Sequence, residues 1–221
     1  MNNFQYVSRK QLSPVKKDLI QIINSVQNQV RKDFTLRYDF VGSVKRNMVT
    51  YDVGTNIGYD FDVNIQVNDK ECRFSAKEIK TKIRIALDKV APHFGYACAE
   101  NSTRVLTIKV KDKKNSRIIH SCDFAIVNNY VDDDGNECQE YIHFNMKQRT
   151  YKWEEQPYGY YLLDEKAEWI KNNGYTDEMR KLYLRKKNFN TDLNKHSRSI
   201  YAETVHEICQ KYGYYESKLE N

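Results

Sequence analysis

No apolar run in this sequence approaches the roughly 20 residues that a membrane-spanning helix needs. The opening Met1-Asn2-Asn3-Phe4 lacks the pattern of a signal peptide. A cytoplasmic protein with no membrane partner is therefore expected. No C-x-x-C pair occurs either: the five cysteines, Cys72, Cys98, Cys122, Cys138 and Cys209, are odd in number and widely spaced, which supports neither a disulfide framework nor a structural zinc site. His93, His120, His143, His196 and His206 show no H-E-x-x-H or other ligand spacing, so each reads as a satisfied or exposed side chain. Internal repeats and low-complexity linkers are missing as well.

What is present is the composition of a globular chain. At 221 residues it is long enough for one large domain or two small ones, each with a real core. Hydrophobic residues make up 40% and charged residues 30%, too apolar for a disordered chain and too polar for a membrane protein. The formal charge of +6 favours an acidic partner by steering, but it is modest for this length and does not distinguish a nucleotide from a nucleic acid.

The stretch from Val41 to Val67 organises the rest. Tyr59, Phe61, Val63, Ile65 and Val67 alternate with Asp60, Asp62, Asn64 and Gln66, the period-two pattern of a half-buried strand. Asp60 and Asp62 then project from one face with Cα atoms about 6.5–7 Å apart, close enough to repel unless a cation lies between them. Magnesium takes oxygen ligands and leaves room for substrate phosphates, so two aspartates on a rigid strand suit it. Upstream, the apolar Phe40-Val41 leads into Gly42-Ser43, a small turn whose backbone N–H groups and hydroxyl could approach phosphate oxygens. Lys45 and Arg46 follow, read equally well as phosphate-seeking cations or as surface charges. Asp52 competes as a metal ligand but lacks the shared strand face. Asp132-Asp133-Asp134 reads as a loop, without the distal glutamate or flanking helices of a calcium site.

An apolar residue, Gly-Ser, a spacer and then Asp-x-Asp on a strand resembles the signature of the polymerase-beta-like nucleotidyltransferase superfamily, which includes CCA-adding enzymes, oligoadenylate synthetases and bacterial cyclic-oligonucleotide synthases. That family carries a third acidic residue on a later strand, and Asp123 in Ile118–Val127 matches it. The spacer from Ser43 to Asp60 is longer than the family's compact form, and Asn47-Met48 stands where Gly-Thr is common. The resemblance implies an α+β fold: a mixed sheet with helices as the catalytic core over residues 1–148, then a helical C-terminal subdomain over 149–221, with the site in the cleft between them. It further implies transfer of an NMP from an NTP to a hydroxyl acceptor, a nucleotide or nucleic acid among the options. Asp60, Asp62 and Asp123 would be the catalytic residues and would hold two magnesium or manganese ions, while Gly42, Ser43 and Lys45 would bind the triphosphate. Two alternatives stay open: a catalytically silent nucleotide- or RNA-binding relative, and a toxin-antitoxin-type transferase that modifies protein or tRNA.

Around this centre the remaining elements follow from local signals. Ser13-Pro14 predicts an N-cap and first helical residue, with Val15, Leu19, Ile22, Val26 and Val30 on the buried face of a helix of roughly five turns. Arg37–Val41 reads as a strand. Ser75 precedes a second helix carrying Ile79, Ile83, Ala86, Leu87 and Val90, closed by Pro92 and Gly95, with Lys77, Lys80, Lys82 and Arg84 on a solvated face. Arg104–Lys111 and Arg117–Val127 form a hairpin about Asp112–Ser116, and Glu140–Asn145 reads as a returning strand. From Tyr151 onward helices are expected: Tyr158-Gly159-Tyr160-Tyr161 introduces one near Asp164–Asn173, Thr176 starts another, and His196–Tyr212 forms the last. Lys195–Glu203 resembles the helix that closes the nucleotide cleft in oligoadenylate-synthetase-like enzymes. A tyrosine there could stack on a base, although with 17 tyrosines each one is individually better explained as core or surface.

Overall fold

A computed structural model describes residues 2–55, 58–69, 71–157, 162–192 and 194–214. The expected lead-in at Tyr158–Tyr161 lies outside the described residues, as do Asn56 and Ile57 of the spacer. In chain order the elements are β1 (Phe4–Tyr6), α1 (Arg9–Val30), β2 (Thr35–Val41), α2 (Gly42–Lys45), β3 (Thr50–Asp52), β4 (Tyr59–Asn68), α3 (Ala76–Val90) with a 3-10 turn over Ala91–Phe94, β5 (Glu100–Asn101), β6 (Val105–Asp112), β7 (Arg117–Val131), β8 (Glu137–Asn145), β9 (Thr150–Glu155), α4 (Leu162–Asn172), α5 (Thr176–Phe189) and α6 (Ser197–Lys211).

The chain divides into two compact units, one of Tyr6–Tyr51 and Thr55–Gln156, the other of Met1–Gln5, Asp52–Gly54 and Pro157–Asn221. The larger unit holds a mixed sheet in the order β2-β4-β7-β6-β5, with β8 paired to the far half of β7 and β9 to β8. Only β4 and β7 run parallel among these pairs. A parallel pair needs a crossover, which the chain makes through α3 before returning by β6. Because β9 belongs to the sheet, the strand region runs past residue 148 and the helical character expected from Tyr151 begins later. The run Tyr151–Glu155 pairs in register with Glu140–Phe144, and that cross-strand partner overrides a local sequence with no clear helical period.

One face of the sheet is apolar. Phe61, Val63, Ile65 and Val67 of β4, Leu106 and Ile108 of β6, and Cys122, Phe124 and Ile126 of β7 are buried against Leu19, Ile22, Ile23, Val26 and Val30 of α1 and Ile79, Ile83, Ala86, Leu87 and Val90 of α3. Each of the valine, leucine, isoleucine and phenylalanine side chains contributes about 1.5–3 kcal/mol by leaving water. The helix faces therefore agree with their periodicity, while two details differ. Helix α1 starts at Arg9 rather than at Pro14: Ser8 and Gln11 form a reciprocal capping box, with the Ser8 N–H donating to Gln11 Oε1 at 3.1 Å and the Gln11 N–H to Ser8 Oγ at 3.3 Å. Pro14 sits inside the helix, where it has no N–H to offer the Lys10 carbonyl. Lys80 does not face solvent. It is 2% exposed on the inner side of α3 and donates to the Ser102 carbonyl at 2.9 Å, whereas Lys77 and Arg84 are exposed as expected.

In the smaller unit α4, α5 and α6 pack through aromatics. Tyr175 stacks on Tyr212 with ring centroids 3.8 Å apart, and Trp169 meets Tyr214 edge-on at 5.4 Å. Glu178 ties α5 to the end of α6 by accepting from Lys211 Nζ at 2.6 Å and from the Tyr212 hydroxyl. Asp52 is buried here and accepts from the backbone N–H groups of Asn3 and Gly54 at 3.1 and 3.0 Å, a loop-holding task. Among the described residues no helix is long and apolar enough to cross a membrane.

Candidate active site

Alternation along β4 sends Phe61 and Val63 into the core and leaves Asp60 exposed and Asp62 half-buried on the other face. The parallel register then decides the site. Asp62 is the direct partner of Asp123, and Asp60 the direct partner of Ser121, so the three aspartates share one face of two adjacent strands about 4.8 Å apart. Val41 of β2 and Thr107 of β6 extend the Asp62–Asp123 row on either side, while Lys109 pairs with Ser121 in the next row.

Two neighbouring hydroxyls serve the carboxylates. Thr107 Oγ1 donates to Asp123 Oδ1 at 2.5 Å, and Ser121 Oγ donates to Asp60 Oδ1. Burial is the main force lifting the Asp123 carboxyl above the usual carboxylate range; the Thr107 hydrogen bond and the Lys109 charge oppose that rise, and the Asp60 charge adds to it. The buried Cys122 thiol between them is pushed up by burial first and then by the charges of Asp123, Asp62 and Asp60. Lys109, whose charge bears on Asp123, is held by Glu100 at 2.5 Å, which Lys111 also approaches at 3.7 Å.

The turn at the end of β2 completes the arrangement. Gly42 has φ +60°, and a Cβ built on it would lie 2.3 Å from Asp62 Oδ2, so only glycine lets the turn close over the carboxylate. Ser43 follows in the short helix α2 and is half-buried, its carbonyl accepting from the Met48 N–H at 2.8 Å. Lys45 ends α2 with an exposed side chain. The geometry thus gathers Asp60, Asp62, Asp123 and Gly42; Ser43 and Lys45 continue the same turn. Thr107, Ser121, Lys109 and Glu100 were not singled out from the sequence. Ser121 had a signal, the polar alternation of Ser121 and Asp123 about Cys122, whereas Thr107 had none that survives the bulge described below.

Among the described residues no group of three or more His, Cys, Asp or Glu side chains forms a ready metal cage. The chemistry of the three carboxylates suits one class of ion: oxygen donors only, on rigid adjacent strands, with a repulsion between Asp60 and Asp123 that a hard divalent cation would relieve.

No protein-family model matches the sequence, and no curated protein matches it. Solved structures do match. A STING-associated CdnE c-di-GMP synthase from Capnocytophaga granulosa is 18% identical over 94% of this chain and 63% of its own, with a TM-score of 0.60. GTP-bound DncV from Vibrio cholerae is 15% identical over 91% of this chain and 52% of its own, with a TM-score of 0.56. A second structure of DncV, described as a cyclic AMP-GMP synthase and a prokaryotic cGAS homolog, is 11% identical over 82% and 61%, with a TM-score of 0.54. The chain thus spans less than two thirds of the length of each of these three. These matches show that the chain shares its fold with the CdnE and DncV structures, a mixed α+β fold as the sequence resemblance led one to expect.

Proposed function

We propose that the protein is a nucleotidyltransferase that moves an NMP from an NTP to a hydroxyl acceptor in the cytoplasm, with a second nucleotide as the first-ranked acceptor. One observation carries the reading: Asp62 and Asp123, about sixty residues apart in sequence, are direct partners on parallel strands, with Asp60 on the same face. The structural neighbours whose descriptions name c-di-GMP and cyclic AMP-GMP synthesis support the choice of donor and acceptor.

Asp60, Asp62 and Asp123 are the residues that would hold magnesium or manganese. When bound, two such ions neutralise the triphosphate and stabilise the attacking and leaving oxygens of an in-line displacement. Gly42 brings backbone close to Asp62, and the N–H groups of the following turn, the Ser43 hydroxyl and the Lys45 ammonium would bind the terminal phosphates. In the reaction the acceptor oxygen bonds to the α-phosphorus, the bond from that phosphorus to the pyrophosphate oxygen breaks, and pyrophosphate leaves. Asp123 would serve the acceptor, its carboxylate favouring removal of the hydroxyl proton. Positioning and charge neutralisation supply most of the rate.

The test is incubation with each α-labelled NTP and magnesium, with no acceptor, with tRNA and with protein. A labelled nucleotide product without added acceptor is expected, and labelled tRNA or protein would reassign the acceptor. Asp60→Ala and Asp62→Ala should fold normally, since each removes repulsion and little packing, and should transfer nothing. Full activity in both variants, or wild-type protein that neither binds nor turns over any NTP, would overturn the reading.

A further inference from the structure

We propose that Thr107 is a positioning residue for the carboxylate row: its hydroxyl sets the rotation of the Asp123 side chain and thereby which carboxylate oxygen is left for a divalent cation. The inference rests on the function proposed above. Thr107 is the direct antiparallel partner of Asp123, and its Oγ1 lies 2.5 Å from Asp123 Oδ1. An aspartate's terminal torsion is a broad, soft rotor, whereas a β-branched threonine on a strand is stiff at χ1. A stiff donor on a rigid strand is therefore what holds the soft carboxylate. With Oδ1 engaged, Oδ2 is the oxygen that the row presents.

A threonine on the polar face of a strand is by itself an ordinary β-former. What separates Thr107 from that reading is the way the chain places it. Counted from the turn, Asp112 pairs with Arg117 and Lys111 with Ile118, a register that would set Thr107 opposite Cys122 and on the core face. The register shifts between Val110 and Lys111, where Ile119 is the extra residue on β7, and the shift moves Thr107 opposite Asp123. Gly58 accommodates the bulge: a Cβ there would lie 2.1 Å from the Ile119 carbonyl oxygen and 2.6 Å from that of Ile118. Ser121 donates to Asp60 from the neighbouring strand in the same manner, so two of the three carboxylates are each held by a hydroxyl across a strand pair.

The experiment uses the whole chain without nucleotide and manganese alone as the probe, with free ion followed by electron paramagnetic resonance. Thr107→Val keeps shape and β-branching but removes the donor; Thr107→Ala removes it a second way; Thr107→Ser keeps it. The two donorless variants should bind manganese about 10–100-fold more weakly than wild type and Thr107→Ser should recover most of that loss, the scale seen when a partner orienting a metal ligand is removed. Melting temperatures identify any variant that fails to fold, and the other donorless variant then carries the comparison. Wild-type affinity in the donorless variants, or a loss in Thr107→Ser equal to theirs, would overturn the inference. Asp123→Asn separates the two levels. If it weakens manganese binding while the donorless variants do not, the role of Thr107 alone falls; if wild-type protein binds no manganese, the proposed function falls and takes the inference with it.

Discussion

Gly42 meets two demands that no other residue type meets together, a φ of +60° and contact with a neighbouring carboxylate oxygen. Substitution by alanine adds about 1–2 kcal/mol of left-handed backbone strain and drives Cβ against Asp62. In Asp62→Ala the second term vanishes and the first remains. The stability cost of Gly42→Ala should thus be smaller in the Asp62→Ala background, by on the order of 1 kcal/mol for residues in contact, as read from a urea double-mutant cycle. Equal costs in both backgrounds would separate the turn from the carboxylate. One residue on, Ser43→Ala should weaken NTP binding by roughly 1.5–3 kcal/mol if its hydroxyl bonds a charged phosphate; calorimetric titration with a nonhydrolysable NTP showing unchanged affinity would remove Ser43 from the site. At this scale Asp60 and Asp62 were legible because strand alternation is a local property, and Gly42 was legible as a turn. Its contact with Asp62 was not, since that depends on the pairing of Val41 with Asp62 across β2 and β4.

Among the elements, helices with strong local signals were read nearly to the residue. The start of α3 is an example: the Ser75 hydroxyl accepts from the Glu78 N–H at 3.3 Å and the Ser75 N–H donates to Glu78 Oε2 at 2.9 Å, both encoded within one turn of chain. The start of α1 was misplaced because Ser8-x-x-Gln11 and Ser13-Pro14 both carry start signals, and the more N-terminal one closes a full capping box. Strand β9 and the hairpin bulge were out of reach for a different reason, since a strand's partner and a register shift are fixed by contacts far along the chain. The bulge matters most, because β7 takes its face from it. Gly58→Ala places a methyl group against the carbonyls of Ile118 and Ile119, which are backbone and cannot rotate aside. Overpacking of this kind costs about 1–3 kcal/mol. Relief by separating the starts of β4 and β7 would also disturb the Asp60–Ser121 pair. Gly58→Ala should therefore lower the urea midpoint and manganese affinity together; a stability loss with unchanged manganese affinity would show that the bulge tolerates the methyl without moving the carboxylates.

For the molecule as a whole, the sequence-based division by residue number does not anticipate that the first residues join the last helices. Asn2 Nδ2 donates to the carbonyls of Lys187 and Asn190 at 3.3 and 3.0 Å, and the Phe4 N–H donates to Asn188 Oδ1 at 2.6 Å, partners more than 180 residues away. No local pattern encodes such pairing. The misread Lys80 is a similar case, since helical spacing put it on a basic stripe while tertiary packing buried it, and it changes how the fold responds to pH. Burial pushes its ammonium down to about 8 from the ordinary 10.5. Below pH 8 both folded and unfolded chains carry the proton, and the folded state bears the full cost of burying the charge. Between pH 8 and 10.5 the unfolded chain keeps a proton that the folded chain has released, so stability rises with pH, by at most about 1.4 kcal/mol per unit. Tyrosines act in the opposite sense higher up: burial raises Tyr59 and Tyr96, so above about pH 10 the unfolded chain loses their protons first and stability falls. Burial also raises the thiols of Cys122, Cys138 and Cys209 above the ordinary 9.0, which lowers stability within pH 8–10. The comparison over that window is therefore made with Lys80→Met, which shares those thiols, retains the long stem and has no charge. Unfolding free energies measured across that window should climb in wild type relative to Lys80→Met. Parallel curves would mean that the folded protein keeps Lys80 protonated, with the Ser102 carbonyl bond strong enough to outweigh burial.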